Sequence, residues 1–344
     1  MTYKGFKTNT FLLVCVMVML SCDRTENLIP ETGKGSPVKF GSPQLVASST
    51  KSLGEMTTDN ITDTDIRVYG DLFDDGEAKL SFNSSFWEAD KLAFWDGENH
   101  DWAAVAPYSA AADMDEAGRL GISGIPVVSH TENGTDYIAA AVAAQKEGTV
   151  NFSFSHLLSK LSVWVYTDNL DNETTEGRYL QIQQMTLMMP RHSLTATYRQ
   201  AQSGRISDDS DSWTWDETFH SASPDAGEDE LGEDYEAYPL ANTLPIRPPY
   251  ATDLFAATTR AKALDNSFFL APFPTDGSPI QLFLKVVYQS VGDGTDPLDA
   301  FVPIKDVEVA AQGKETRLYV KVAMPEEQQE ITFGEIKTEV WTTE

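Results

Sequence analysis

Phe-Ser-Phe-Ser-His-Leu-Leu-Ser-Lys-Leu-Ser-Val, residues 152–163, is the stretch of sequence that decides the fold. In its first half two phenylalanines alternate with serines, and in its second half Leu161 and Val163 alternate with polar residues on the opposite parity. Such alternation predicts a β-strand with one buried face. The change of parity predicts a bend or bulge near His156–Ser159. We expect His156 to be buried and hydrogen-bonded and not to be a metal ligand.

Similar short strands fill most of the chain on both sides of this stretch. Apolar residues recur at every second position, and turn signals such as Asp74-Asp75-Gly76 separate the strands. One alanine-rich segment, Tyr137–Ala144, is compatible with either a strand or a helix. Because no regular helices alternate with the strands, the sequence predicts an all-β fold of two tandem β-sandwich domains.

Two positions are expected to end or interrupt strands. The alternation of apolar residues before Pro190 stops at that proline. Near the C-terminus Phe333 and Ile336 lie on opposite parities, and Gly334 between them is a natural site for a β-bulge.

The expected domains divide the chain near Lys146–Thr149. We predict an N-terminal β-sandwich at 37–148 and a C-terminal β-sandwich at 149–344. Residues 22–36 are polar and contain glycine, as a flexible tether does. The C-terminal domain carries a long acidic insertion at about 200–262, where Asp and Glu are interleaved with Trp and Tyr. A loop of that length in a compact domain is either functional or disordered.

The first 22 residues predict export and a lipid anchor. A short basic head precedes an uncharged apolar run, Phe11–Leu20, which is too short to span a bilayer. This is the layout of a signal peptide, predicted at residues 1–21, and Met19-Leu20-Ser21-Cys22 resembles a bacterial lipobox. We expect Cys22 to carry lipid such as palmitate and to hold the protein at a membrane. The alternative is an ordinary signal peptide that ends by chance at a cysteine.

The composition argues against a nucleic acid partner, against a basic membrane-binding face and against disulfide bonds. The chain has 25 Lys and Arg residues against 53 Asp and Glu residues, a net charge of −28. Such a chain cannot neutralise a row of phosphates, so we expect no nucleic acid partner. It has no basic face for anionic lipid, so membrane attachment must come from the acyl chains. Because Cys15 lies in the leader and Cys22 is acylated, no disulfide is expected.

No constellation of catalytic residues is present in the sequence. The chain lacks a G-x-S-x-G elbow and an H-E-x-x-H zinc motif, and its five histidines are scattered. We therefore expect no enzyme, no catalytic residue and no cofactor, although a glycosidase-like pair of carboxylates stays open among so many acids. Asp209-Ser210-Asp211 offers two carboxylates but lacks the glycine and distal glutamate of an EF-hand loop, so a solvated charge run is favoured over a calcium site.

Trp213 and Trp215 are the candidate ligand contacts. At a spacing of two on a strand they share one face and could form a stacking platform for a sugar ring. The alternative, which this spacing favours, is one face of an edge hairpin.

The stretch at 152–163 resembles a strand motif of the Bacteroidetes fimbrillin (Mfa-like) family, F-x-H-x-x-(S/A)-K-(L/V)-x-(V/F). Other segments resemble family features in the same order: Val38–Phe40 its first strand, Asp101–Tyr108 its F-x-A-x-x-P region, and Ile331–Trp341 its closing strand. The resemblance covers about residues 36–344, apart from the acidic insertion. It implies two transthyretin-like or Ig-like β-sandwiches in a pilin subunit or a related surface lipoprotein.

The resemblance also implies a route of assembly. Members of the family reach the outer membrane as lipoproteins, lose their first strand to a trypsin-like protease and accept a strand from another subunit in its place. Here the released strand would be about Pro37–Val46, the cut would follow Lys51, and the donated segment would lie near Ile331–Trp341. The usual cleavage residue is Arg, whereas this chain has none between Arg24 and Arg67. A subunit that keeps its lipid, such as an anchor or accessory protein, is therefore an alternative.

Two classes of function follow from these observations. The first is a fimbrial structural or accessory subunit whose partners are other fimbrillin subunits and, through lipid on Cys22, the outer membrane. The second is a monomeric lipoprotein on the cell surface that binds a glycan or a host ligand through Trp213, Trp215 and the acidic loop. Both would use the same strands, because a fold alone does not fix a function.

Overall fold

A computed structural model describes residues 35–45, 55–166, 179–207, 212–246, 262–272, 280–291, 296–304, 312–322 and 331–340. In these ranges the regular secondary structure is almost entirely β-strand, and the named helical elements are three-residue 3-10 turns at Ile61–Asp63, Glu228–Glu230 and Gly232–Asp234. The first eleven strands are β1 Lys39–Phe40, β2 Gln44–Leu45, β3 Ile66–Tyr69, β4 Glu77–Asn83, β5 Phe86–Ala89, β6 His100–Ala106, β7 Ala111–Met114, β8 Leu120–Pro126, β9 Val128–His130, β10 Ile138–Gln145 and β11 Thr149–Val150. The others are β12 Ser153–His156, β13 Ser159–Tyr166, β14 Tyr179–Pro190, β15 Thr195–Arg199, β16 Trp213–Trp215, β17 Tyr235–Ile246, β18 Lys262–Leu270, β19 Leu282–Val291, β20 Leu298–Ile304, β21 Lys314–Val322 and β22 Ile331–Val340.

These strands form five sheets. The largest has seven strands in the order β2-β12-β10-β6-β3-β4-β5, and a five-stranded sheet has the order β22-β21-β13-β18-β9. Two four-stranded sheets have the orders β17-β14-β19-β20 and β16-β15-β8-β7, and β1 pairs with β11. The predicted all-β fold is confirmed. The alanine-rich segment is strand β10, because its position between β12 and β6 outweighs the helical preference of alanine.

Two hydrophobic cores lie on opposite faces of the seven-stranded sheet. On strand β6, Trp102, Ala104 and Ala106 face one core, whereas Ala103 and Val105 face the other. Burial on both faces explains why this strand is a continuous apolar run and not an alternating one. The N-terminal core includes Ile66, Val68, Leu80, Trp102 and Phe154. The main core includes Val105, Leu120, Leu161, Val163, Leu187, Phe268 and Leu318.

Strand pairing crosses the expected domain boundary near Lys146–Thr149. Strand β8 pairs with β15 and strand β9 pairs with β18, so residues 111–130 share sheets with strands from the second half of the chain. Strand β12 lies in the seven-stranded sheet with strands of the first half. The division into 37–148 and 149–344 stays a prediction, and it does not coincide with the limits of the sheets.

The bend predicted in the 152–163 stretch lies where the chain changes sheets. Strand β12 ends at His156 in the seven-stranded sheet, and β13 begins at Ser159 in the five-stranded sheet. Leu157 and Leu158 between them are buried in the main core. The change of parity therefore reflects a strand that leaves one sheet for another.

The other two strand features are also confirmed. Strand β14 ends at Pro190. In the pairing of β21 with β22, Leu318 is opposite Ile336 and Val320 is opposite Phe333, so β22 has one extra residue around Gly334. That extra residue is the β-bulge that the change of parity predicts.

The expected acidic insertion at 200–262 contains two described strands, β16 and β17. Strand β17 pairs with β14 along its length, and its residues Tyr238 and Leu240 are buried in the main core. The acidic stretch that ends at Asp234 therefore leads directly into a strand of the core.

Candidate functional site

Residues 36–45, the edge segment, lie along the outer side of the seven-stranded sheet. Within the edge segment, β1 runs parallel to β11 and β2 runs parallel to β12, with β2 as the outermost strand. Besides these strand pairings, four backbone hydrogen bonds of 2.9 Å hold it, in which Val38 N–H donates to Ala93 O, Trp95 N–H to Ser36 O, Gly41 N–H to Val150 O, and Gln44 N–H to Phe152 O. The other six strands of the seven-stranded sheet pair with one another without the edge segment.

Phe40 inserts from the edge segment into an aromatic socket formed by Phe73, Trp102 and Phe152. Its ring stacks on Phe152 with 6.2 Å between centroids and on Phe73 with 6.4 Å. It meets the indole of Trp102 edge-on at 5.7 Å. Burial of aromatic surface in this socket stabilises the attachment of the edge segment.

The parity of the side chains that face inward changes at Gly41 of the edge segment. The side chains turned inward are Val38, Phe40, Pro43 and Leu45, and the exposed ones are Lys39, Ser42 and Gln44. A Cβ added at Gly41 would lie 2.0 Å from Asn151 Oδ1. Any larger residue at position 41 would therefore displace the Asn151 amide, which donates to Thr149 O at 3.0 Å.

The next described residues begin at Glu55, and buried polar contacts hold the chain at this point. Lys160 Nζ donates to Glu55 Oε2 at 3.2 Å, and both side chains are at most 2% exposed. Met56 N–H donates to Asp136 Oδ2 at 2.8 Å, and Asp136 Oδ1 lies 3.1 Å from His156 Nδ1. We call the four side chains Glu55, Asp136, His156 and Lys160 the clasp. The prediction that His156 is buried and hydrogen-bonded is confirmed.

The clasp fixes the chain just after the segment expected to be cut. Both its carboxylates are buried with a partner, as buried charges must be. Removing one partner of such a pair is strongly destabilising because the other charge stays buried and uncompensated. A cut before Glu55 would therefore leave the rest of the chain anchored at Glu55 and Met56.

Strand β22 also lies at the edge of a sheet. In the part of the chain that the structure describes, it pairs with β21 on one side only. A strand with one neighbour has a row of backbone groups that can pair with another chain. Among the described strands, β2 and β22 are thus each at the edge of a sheet.

The two tryptophans singled out by their spacing lie on strand β16, at the edge of its sheet. Trp213 is 3% exposed, its ring packs on Tyr198 at 5.4 Å, and its Nε1–H donates to Gln312 Oε1 at 3.2 Å. Trp215 is half-buried, and its Nε1–H donates to Pro272 O at 3.1 Å. Trp213 therefore offers no free ring face to a sugar, which favours the edge-strand interpretation.

Sequence reasoning missed half of the clasp and most of the socket. Asp136 and Glu55 are single acidic residues with no motif around them, and each meets a partner distant in the chain. Phe73 lies in a turn, where an apolar residue carries little signal. The one hint in the sequence is that His156 and Lys160 lie in an apolar stretch, where buried charged groups need acidic partners.

Several expected sites lie outside the described residues. Cys22, Lys51 and Asp209–Asp211 belong to this group, so lipid attachment, cleavage and the calcium alternative stay predictions. In the described ranges, no helix has the length and apolar character needed to cross a membrane. The same ranges contain no group of three or more His, Cys, Asp or Glu side chains that could hold a metal ion.

The chain is similar to solved structures of proteins from Bacteroides species. The crystal structure of a fimbrial protein from Bacteroides vulgatus is similar, with a TM-score of 0.52 and 19% identity over 88% of this chain and 99% of that chain. A proposed cell adhesion protein from Bacteroides ovatus has a TM-score of 0.47 and 14% identity over 90% of this chain and 99% of that chain. No curated protein matches the chain significantly.

The similarity to the Bacteroides vulgatus protein shows a shared fold. The family is shown by sequence, because the profile of the fimbrillin-like family matches residues 49–268, more than half of the chain. The resemblance expected from the 152–163 motif is thereby confirmed. This protein belongs to the fimbrillin-like family.

Proposed function

We propose that this protein is a non-enzymatic subunit of a fimbrium, exported as an outer-membrane lipoprotein through Cys22 and assembled by strand exchange. The family to which the chain belongs is one of fimbrial and cell adhesion proteins. Its proposed partners are other fimbrillin subunits, and its proposed location is the cell surface.

The observation that carries this proposal is the position of the edge segment. It includes β2, the outermost strand of the seven-stranded sheet, its strands β1 and β2 are two residues long each, and Phe40 fills an aromatic socket in the N-terminal core. Loss of the edge segment would expose this socket and the unpaired side of β11 and β12. A groove with free backbone groups and an apolar pocket is the kind of site that binds an added strand.

The proposed order of events follows the chain. A trypsin-like protease cuts after Lys51, and residues 37–46 leave with the lipidated leader segment. The clasp keeps the chain in place from Glu55 onward, so the groove opens without further unravelling. A segment near Ile331–Trp341 of another subunit then enters the groove.

The alternatives have less support from the described residues. A ligand-binding role through Trp213 would need its indole to be accessible, whereas the ring is covered. An anchor subunit that keeps its lipid would differ only in whether the cut occurs, so one experiment separates it from a polymerising subunit.

The test is limited trypsin treatment of the full chain, followed by N-terminal sequencing and by gel electrophoresis without boiling. We expect one early cut that leaves Ser52 as the new N-terminus, and then ladders of oligomers. A Lys51→Gln variant is the matched control and should give neither the cut nor the ladders. A cleanly cut chain that remains monomeric would contradict assembly by strand exchange.

A further inference from the structure

His100 begins strand β6 beside the place where the edge segment meets the sheet. Its side chain is 6% exposed, and each of its ring nitrogens lies against a carboxylate. Nδ1 is 2.6 Å from Asp71 Oδ1, in the turn after β3, and Nε2 is 2.8 Å from Asp96 Oδ1, in the loop before β6. An ionised carboxylate can only accept a hydrogen bond, so both nitrogens must carry a proton. The geometry therefore fits the charged imidazolium and not the neutral ring.

Among the described residues, Asp71 and Asp96 are the charged side chains bonded to this ring. On β10, the neighbouring strand, the residue opposite His100 is the uncharged Gln145. Burial of the ring lowers the pKa of His100, but the hydrogen bonds to Asp96 and Asp71 outweigh burial and raise the pKa above its ordinary value. The ring is thus charged at pH values where an ordinary histidine loses its proton.

The loop at residues 94–97, which we call the latch loop, lies between His100 and the edge segment. On one side of the loop, Asp96 bonds to His100. On the other side, Trp95 N–H donates to Ser36 O at 2.9 Å, and Phe94 forms an antiparallel bridge with Pro37. Since Asp96 directly follows Trp95, a movement of the Asp96 carboxylate moves the backbone that holds the edge segment.

Trp95 extends this connection to the aromatic socket. Its indole meets Trp102 edge-on at 5.8 Å, and Trp102 is one of the three rings around Phe40. Its Nε1–H donates to Gly148 O at 3.1 Å, directly before strand β11, with which the edge segment pairs. The ring of Trp95 also packs on His100 with 6.2 Å between the centroids. One residue of the latch loop thus contacts the histidine, the socket and the approach to β11.

We propose that His100 is a pH-sensitive latch for the edge segment, in which the charged ring holds the latch loop against residues 36–38 and loss of a proton frees it. A neutral imidazole has one N–H and one lone pair, so it can bond to one of the two carboxylates and repels the other. The role of the latch in assembly rests on the proposed function, in which the edge segment must leave, and the latch adds what regulates that step.

The latch is closed at low pH. The two carboxylates favour the protonated ring in the closed state, so opening is least favourable below about pH 6.5, the ordinary pKa of histidine. Opening becomes easier as the pH rises through the raised pKa of His100. The edge segment should therefore be held in acid and released more readily at neutral to alkaline pH.

Hydrogen exchange of the uncut full chain tests the latch without any cleavage. Exchange of the amides of residues 36–45 is measured by mass spectrometry between about pH 5.5 and 8.5 in the unsubstituted chain and in His100→Gln. At each pH this segment has the same intrinsic exchange rate in both chains, so the ratio of the two rates reports opening alone. At low pH we expect the unsubstituted chain to exchange more slowly, by about threefold or more, and the difference to narrow as the pH rises.

Two further variants support the comparison. Asp96→Asn keeps an acceptor oxygen but removes the charge, so it should weaken the pH response of residues 36–45 while its loop keeps the hydrogen bond from Glu98 N–H. The matched control is His192→Gln, because His192 also bonds a carboxylate, that of Glu236, but is exposed and belongs to the loop after β14. This control should leave the pH response of the edge segment unchanged.

Two results would overturn the latch. One is a pH response through His100 in the strands of the core, such as β14, with none in residues 36–45, because His100 would then stabilise the fold without holding the edge segment. The other is the same pH response of residues 36–45 in the unsubstituted chain and in His100→Gln, because another group would then carry it.

A second measurement follows assembly and separates the latch from the proposed function. The chain is cut with trypsin, the protease is inhibited, and the sample is divided between about pH 6 and about pH 8. We expect ladders of oligomers to form faster at the higher pH, and the difference to disappear in His100→Gln. The absence of ladders at both pH values would contradict strand exchange, whereas the exchange rates of the uncut chain would still decide the latch.

Discussion

Phe40 is the largest side chain of the edge segment and contacts three aromatic rings of the N-terminal core. Replacing it with alanine removes these contacts and leaves a space that the rings cannot fill. Since Phe40 is only partly buried, we expect Phe40→Ala to lower the free energy of unfolding by about 2–3 kcal/mol, below the range for a fully buried phenylalanine. Urea denaturation measures this, and Lys39→Ala, at an exposed neighbour, should change stability by less than about 0.5 kcal/mol.

The clasp allows a comparison of two ion pairs that have the same length and different burial. Lys160→Met leaves the Glu55 carboxylate buried without its ammonium partner, so we expect a loss of about 3–5 kcal/mol in the free energy of unfolding. Lys79→Met breaks an exposed pair with Asp65, also at 3.2 Å, and should cost less than about 1 kcal/mol.

A double variant distinguishes the buried charge from lost packing. If the cost of Lys160→Met comes from an uncompensated carboxylate, adding Glu55→Gln should recover part of the stability. Equal losses in Lys160→Met and in the double variant would mean that the charge pair contributes little. The readout is a double-mutant cycle from urea denaturation.

His100 gives the fold a pH dependence near neutrality. Burial of its ring disfavours protonation, but hydrogen bonds to Asp96 at 2.8 Å and Asp71 at 2.6 Å outweigh burial and raise the pKa of His100. A raised pKa in the folded state adds stability that is fully present below the unfolded value of about 6.5 and is lost as the pH rises through the folded value.

The expected result is a fall in the free energy of unfolding as the pH rises through and above 6.5, and a smaller fall in a His100→Gln variant. Urea denaturation at several pH values between about 5.5 and 8.5 measures both. An identical pH dependence in the two proteins would show that His100 does not carry it.

The edge segment and the central strands should differ in local stability. Most side chains of residues 36–45 are exposed or partly buried and β2 is the outermost strand of its sheet, whereas β6 and β10 lie inside the sheet and face two cores. We expect amides of the edge segment to exchange hydrogen through local opening, at least about tenfold faster than those of β6 and β10, which need global unfolding. Exchange measured by mass spectrometry on the uncut chain tests this, and equal protection would argue against a releasable strand.

The elements show what could be predicted from the sequence and what could not. The bend at His156–Ser159, the bulge around Gly334 and the strand end at Pro190 follow from local rules of parity and geometry. The sequence leaves open whether the segment of β10 is a strand or a helix, because alanine prefers helices. Its place between two strands of the sheet makes it a strand. Strand β17 was assigned to an acidic insertion, because the charges before it obscured Tyr238 and Leu240.

The functional contacts were harder to predict than the strands. Lys160 meets Glu55 across 105 positions of the chain, and such a distance leaves no spacing to recognise. The candidate pair Trp213 and Trp215 was chosen for its aromatic character, but burial in a core gives the same sequence pattern as a ligand platform. Only the fold tells these two apart.

At the scale of the whole molecule, the N-terminal core and the main core lie on opposite faces of one sheet, and a smaller cluster lies around Leu231, Tyr235 and Phe283. The N-terminal core contains the aromatic socket and is closed at its rim by the edge segment, whereas the main core lies on the other face of the shared sheet. Release of the edge segment would therefore open one core and leave the other packed. Under the proposed function, this arrangement would let the subunit expose a groove and remain folded until another strand arrives.

The exchange of a segment near Ile331–Trp341 for the edge segment can be measured with a disulfide between two copies. Aligning Phe333-Gly334 with Phe40-Gly41 places Thr332 at the position of Lys39. In a Cys15→Ser/Cys22→Ser background, one form of the chain carries Thr149→Cys and a second form carries Thr332→Cys. Thr149 is the register partner of Lys39 in the parallel pair of β1 and β11. Paired positions on neighbouring strands have the spacing that a disulfide requires.

The two forms are mixed, treated with trypsin and oxidised, and the cross-link is identified by mass spectrometry. We expect a disulfide that joins position 149 of one copy to position 332 of the other, only after the cut at Lys51. A Glu335→Cys form places its thiol roughly 10 Å farther along the strand and should not cross-link. Ladders without the 149–332 disulfide, or the same disulfide in a Lys51→Gln chain, would contradict the exchange of these two segments.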